Sequence, residues 1–400
     1  MYKRLQLPGL PAGYAAESVN SYACPPGEEK TAKFITQGFL SSEDGIDFIT
    51  HLDGLWPVIL DPAGLSIREV GGIDRLLAVI HRDCSVDLYI NEPSMNLSAS
   101  LKMTVDKIYK DQPVGLDSIE HMVSIEFEGV PIPQSSGFFW VFSFGWRKGL
   151  LFDVSPLTPI DGKLVDRDYE LGRSCAEALS YLINQELFKV SPDLWEEIYN
   201  QDWFPFIILP QSLRESIIGH ARERWPIDQL EEQIASFLKN NIQVIRKVLL
   251  GSSILANHRQ SIGHAVDRFA CDDYISTINI VVPRIEGILR DLYVRQGGTN
   301  NPKQRVIVSS LHSATRSAYQ AGSPIIPDKF AEYLERVFFQ PFDHNSPNAS
   351  SIVSRHTVAH GVVAERFLNR KNALLAIMTL TQITSYADRL ANKPLANIRL

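Results

Sequence analysis

The sequence predicts an α+β protein, with a β-rich N-terminal domain, a helical connector and an all-α C-terminal domain. Three observations carry this expectation. From about Thr31 to Pro156, short β-branched and aromatic segments alternate with turn residues, the pattern of antiparallel strands. After Asp161, apolar residues recur every three or four positions, the period of helices. At 400 residues the chain is also long enough for two or three domains, since single cores stop growing before that size.

The strands are expected at Ala32–Phe39, Leu76–His81, Val86–Ile90, Val123–Phe127 and Phe138–Phe144, separated by turns such as Asp53-Gly54, Pro62-Ala63-Gly64 and Asp161-Gly162. No Gly-rich phosphate loop and no strand-helix alternation occurs here, which argues against a dinucleotide or nucleoside-triphosphate site. The aromatic run Phe138-Phe139-Trp140-Val141-Phe142 lies in an acidic part of the chain and reads as core rather than as a base-stacking platform.

Helices are expected over Tyr169–Phe188, where Leu171, Cys175, Leu179 and Leu182 share a face, and over Gln211–Leu250 with a break near Pro226. Further helices are expected at His258–Ala270, Asp272–Gln296, Pro327–Phe339, Ser350–Phe367 and Lys371–Leu390. Between Gly297 and Pro327, the run Gly297-Gly298-Thr299-Asn300-Asn301-Pro302 suggests a looser stretch. The resulting division is 1–160 β-rich, 161–256 connector and 257–400 helical domain.

The N-terminus has no apolar signal core, and no run approaches the roughly 20 apolar residues of a spanning helix, so a cytoplasmic protein without membrane contact is expected. Cys24, Cys84, Cys175 and Cys271 are far apart and form no CxxC pair, which points to buried free thiols rather than zinc or disulfides. The net charge is -7, yet residues 257–400 hold 17 Lys and Arg against 11 Asp and Glu. That local excess of +6 places any polyanion partner on the C-terminal part.

Chemistry concentrates in Ser354-Arg355-His356-Thr357-Val358-Ala359-His360-Gly361. His356 and His360 are one helical turn apart, whereas Arg355 and His360 are offset by about 140° on an ideal helix. Convergence of that pair requires the long arginine to curl round, or a second subunit to complete the site. An imidazole can move a proton at neutral pH, and a guanidinium can grip a phosphate with two hydrogen bonds. Together they suit RNA cleavage without a metal. Spacing alone is weak evidence, because Arg214 with His220, Arg259 with His264, and Arg305 with His312 match it too.

Context separates them. The string Val281-Val282-Pro283-Arg284-Ile285-Glu286-Gly287-Ile288-Leu289-Arg290, the later Arg355-His356-x-x-x-His360-Gly361, and then Phe367 and Asn372-Ala373-Leu374 resemble, in order, strings of the HEPN superfamily. The resemblance covers about 140 residues and implies a four-helix bundle, a homodimer through the C-terminal helices, and metal-independent endoribonuclease activity on RNA. It implies Arg355 and His360 as the catalytic pair, with His356, Glu286, Arg290 and Asn372 in support, and no metal or other cofactor. A β-rich domain in tandem with such a bundle resembles abortive-infection proteins of phage defence. That architecture implies a toxin-like enzyme with a protein or phage trigger at the β-rich domain.

Other readings stand beside this one. Glu286 and Arg290 suit a simple intrahelical pair, Asn372 suits a helix cap, and Asp343, His344, His356 and His360 include a His-x-x-x-His spacing that zinc accepts. The whole C-terminal part would also serve as a non-catalytic scaffold for dimerisation or nucleotide binding, with the β-rich domain holding a partner. Burial of His360 among apolar side chains would favour the scaffold.

Overall fold

The computed structural model describes residues 1–10, 36–55, 59–64, 73–92, 97–103, 119–160, 163–299, 302–318, 326–341 and 349–391. The chain divides into two units, Met1–Lys102 with His121–Gln185, and Met103–Glu120 with Glu186–Leu400. A six-stranded antiparallel sheet in the first and helices in the second make the protein α+β.

The strands are β1 Tyr2–Gln6, β2 Gln37–Ser41, β3 Leu76–Ile80, β4 Ser85–Ile90, β5 Leu97–Met103, β6 Ile119–Phe127, β7 Gly137–Phe144, β8 Arg147–Asp153, β9 Leu157–Ile160 and β10 Lys163–Asp166. The main sheet runs β1-β4-β3-β7-β8-β2, while β5 with β6 and β9 with β10 form separate ribbons. Every residue of β3 is buried, which explains why Leu76-Leu77-Ala78-Val79-Ile80 is an unbroken apolar run rather than an alternating one. Leu76, Ala78 and Ile80 face one core, to which helix α1 (Ile46–Leu55) adds Phe48 and Leu52. Leu77 and Val79 face the other, with Ile125 and Phe127 of β6 and with Leu171, Cys175 and Leu182 of α2 (Leu171–Ile183).

Phe138, Trp140 and Phe142 sit in that second core, so the aromatic strand offers no open stacking platform. The Phe142 ring lies where a side chain at Gly149 would begin, 2.6 Å from an ideal Cβ position, so any larger cross-strand residue would have to push that buried ring aside. Two local expectations change. Asp53-Gly54 is the last turn of α1 rather than a loop, because Phe48 and Leu52 form a helical stripe against the sheet. The first expected strand begins at Gln37; residues 32–35 and the Asp161-Gly162 turn lie outside the described residues.

The second unit contains α3 Pro192–Asn200, α4 Gln211–Arg222, α5 Glu231–Asn240, α6 Ile242–Gly251, α7 Arg259–Ala270, α8 Tyr274–Arg295, α9 Gln304–Ala318 and α10 Pro327–Tyr333. A π turn, Leu334–Phe338, continues α10, and α11 Arg355–Ala359 and α12 Arg370–Ala391 follow. Helix α8 is the axis of the unit and packs against α7, α9, α11 and α12. The stretch read as connector, 161–256, is shared between the two units. Its α2 packs on the sheet, and residues from Leu187 onward join the core of α8 and α12 through Trp195, Trp203, Phe204 and Leu238.

The largest departure lies between Gly297 and Pro327, where the expected loose stretch holds the 15-residue α9. Ile307, Val308 and Leu311 are buried along one side of it, with Thr315 continuing the stripe. Few apolar residues and many Ser and Arg masked that stripe in the sequence. Cys175 is buried, and burial pushes its thiol up to about 12, but Cys84 is half-buried and Cys271 exposed, contrary to the expectation of uniformly buried thiols. Cys24 lies outside the described residues. Among the described residues, no helix is long and apolar enough to cross a membrane.

Candidate active site

The Arg-His segment folds as a much shorter helix than expected. Instead of one helix over Ser350–Phe367, α11 spans five residues between the 3-10 turns Ala349–Ser351 and Glu365–Phe367. The sequence closes it at both ends. Ser354 and Thr357 form a capping box, in which Thr357 N–H donates to Ser354 Oγ (3.5 Å) and Ser354 N–H to Thr357 Oγ1 (2.9 Å). The Thr357 hydroxyl also donates to the Ile352 carbonyl at 2.6 Å, which anchors the incoming chain.

At the other end Gly361 adopts φ +66°, a left-handed conformation that favours glycine. Its N–H donates to the Val358 carbonyl at 3.2 Å, and Val362 N–H donates to the Thr357 carbonyl at 2.9 Å. These two bonds form a Schellman stop, and they make His360 the C-cap residue. Ser354→Ala is expected to cost about 1 kcal/mol of stability. The reading is the midpoint of urea unfolding, and an unchanged midpoint would show that the cap is dispensable.

From this short helix Arg355 reaches back to α8. Its Nε forms an ion pair with Glu286 Oε2, and the other carboxylate oxygen, Oε1, accepts from Arg290 Nε at 3.0 Å and Nη2 at 2.6 Å. Glu286 thus does more than pair within its own helix: it bridges two guanidiniums. Its side chain is only 9% exposed, against 35% for Arg290 and 27% for Arg355, so the buried acid is compensated and the cations keep an edge toward solvent. Arg290 Nη1 also donates to the Pro302 carbonyl at 2.9 Å, tying the start of α9 to the cluster.

His356 is half-buried beside this cluster and lies 3.1 Å, through Nε2, from Gln304 Oε1 on α9. Burial and then the adjacent Arg355 hold its imidazole below the ordinary value, against an opposing pull from Glu286. His360 is exposed, not enclosed by apolar side chains. The site therefore brings Arg355, Glu286, Arg290 and His356 together, with His360 one turn beyond His356 at the helix end. Gln304 escaped the sequence reading because it opens a helix that was not expected, and Pro302 was read only as part of a loose run.

Asn372 does not cap α12. Asn369 does, accepting the Asn372 backbone N–H on Oδ1 at 3.2 Å, while Asn372 Nδ2 donates to the Phe367 carbonyl at 2.9 Å and fastens the turn after α11. Three residues of the competing Arg-His spacings take part in local contacts. Arg214 donates to the Leu209 carbonyl at 2.5 Å, His220 Nδ1 to the Pro226 carbonyl at 3.2 Å, and His312 pairs with Asp328. Asp343 and His344, half of the considered zinc set, lie outside the described residues. Among the described residues no cluster of three or more His, Cys, Asp or Glu is arranged to hold a metal ion. Comparison with known proteins finds no matching family model, no matching curated protein and no matching solved structure.

Proposed function

We propose that the helical unit is a HEPN-like, metal-independent endoribonuclease that cleaves RNA by attack of a 2'-hydroxyl, with Arg355 and His360 as the catalytic pair. The observation that carries this reading is the exposed His360 at the capped end of α11, on the same short helix as an arginine anchored through buried Glu286. The anchor engages Arg355 through Nε. The Nη1 and Nη2 edge is a different face of the guanidinium and supplies the two-point grip on a scissile phosphate. His360 supplies proton transfer. Exposure of His360 favours this reading over the scaffold, which would have it packed among apolar side chains.

In this reading the positive excess of residues 257–400 draws RNA to the helical unit. The enzyme acts as a cytoplasmic homodimer through the C-terminal helices, and the β-rich unit receives a protein or phage trigger. The expected result is that purified protein incubated with total RNA and EDTA still cuts it, leaving 2',3'-cyclic phosphate ends, and sediments as a dimer. Loss of cutting in EDTA would rule out the metal-free mechanism. A strict monomer with full activity would rule out the dimer.

A further inference from the structure

We propose that His356 is the second acid-base group of the site, taking the 2'-hydroxyl proton at Nδ1 while His360 protonates the leaving 5'-oxygen. The inference rests on the endoribonuclease reading and assigns its two proton transfers. Its starting point is the Gln304 contact. A carboxamide oxygen only accepts, so Gln304 Oε1 holds the proton of neutral His356 on Nε2, and the lone pair is left on Nδ1. Tautomer and ring orientation are thereby set by a residue from another helix, as a general base requires.

The second observation is placement. His360 donates its backbone N–H to the His356 carbonyl at 3.1 Å, so the two imidazoles leave the same helical face one turn apart. The charged groups around His356 are Arg355 and His360 on its own helix and Glu286 on α8, while α9 presents the neutral Gln304. Arg355, next to His356 in the chain, is the group that pairs with Glu286. Burial and Arg355 disfavour the charged imidazole, and His356 therefore stays a neutral base below the ordinary histidine range.

The step balances without a co-reactant. His356 Nδ1 accepts the 2'-hydroxyl proton as O2' bonds to phosphorus. The P–O5' bond breaks with its electron pair on oxygen, and His360, entering as imidazolium, protonates O5'. The products are a 2',3'-cyclic phosphate and a 5'-hydroxyl, and solvent returns the proton from His356 to His360.

The test is the single-turnover cleavage rate of a defined single-stranded RNA as a function of pH. In wild type the rate should rise with pH through an acid limb as His356 loses its proton. His356→Asn should lower the neutral-pH rate roughly 10²-fold and abolish the acid limb. Gln304→Glu keeps His356 in place but faces it with a carboxylate, so the acid limb should move to higher pH. A His356 that merely packs would leave the acid limb unmoved in both variants, which overturns the proposal while the nuclease reading stands. Equal rates for wild type and His360→Ala would instead sink that reading, and the role of His356 with it.

Discussion

Replacing His360 with alanine should lower the rate of RNA cleavage roughly 10²- to 10⁴-fold while leaving RNA affinity nearly unchanged. The side chain is exposed and stands at the C-cap of α11, whose end is closed by the Gly361 stop. Its loss should therefore leave the fold alone and act on the chemical step. Arg355→Lys should be similarly impaired, since an ammonium cannot both pair with Glu286 and hold a phosphate at two points. The measurements are single-turnover rates and RNA binding in parallel. His360→Ala cutting at the wild-type rate would end the mechanism. A variant that lost binding and cleavage together would show His360 to be a binding residue instead.

Much of the fold was legible because its signals are periodic. The apolar run of β3 and the aromatic run of β7 lie within one residue of where the sequence suggests, and α7, α8 and α12 follow their apolar stripes. What failed were places where one residue overrides a period. Gly361 ends α11 by taking a left-handed backbone that no pattern of apolar residues announces. In α9 the stripe of Ile307, Val308 and Leu311 is too thin, among serines and arginines, to stand out beside the Gly-Gly-Thr-Asn-Asn-Pro run before it.

The site was legible in its residue types but not in its wiring. Arg355, His356, Glu286 and Arg290 were all visible as candidates, and the long sequence separation of Glu286 and Arg355 gave no reason to pair them. That contact depends on α11 crossing α8, which is tertiary information. Two of the competing histidines are separated the same way, since His220 and His312 reveal their local roles only through Pro226 and Asp328.

The Glu286 bridge leads to the second large effect. In Glu286→Gln the shape is kept and the charge is lost, which leaves two guanidiniums facing one neutral amide. Breaking a fully buried ion pair by removing one partner costs about 3 to 5 kcal/mol. Arg290 and Arg355 each keep part of their surface in water, at 35% and 27%, so part of that penalty is relieved, and a loss of about 2 to 3 kcal/mol is expected. Cleavage should fall further than unfolding explains, because Arg355 loses the anchor that aims its outer edge. Two further variants separate the effects. Replacing Arg290 by Met in the Glu286→Gln background removes one stranded cation and should recover part of the stability without restoring activity. Replacing Glu286, Arg290 and Arg355 together by apolar residues of similar size should approach wild-type stability and remain inactive. The unfolding midpoint and the single-turnover rate decide between structural and positioning roles. Wild-type values of both in Glu286→Gln would mean that the carboxylate neither holds the helices together nor positions Arg355.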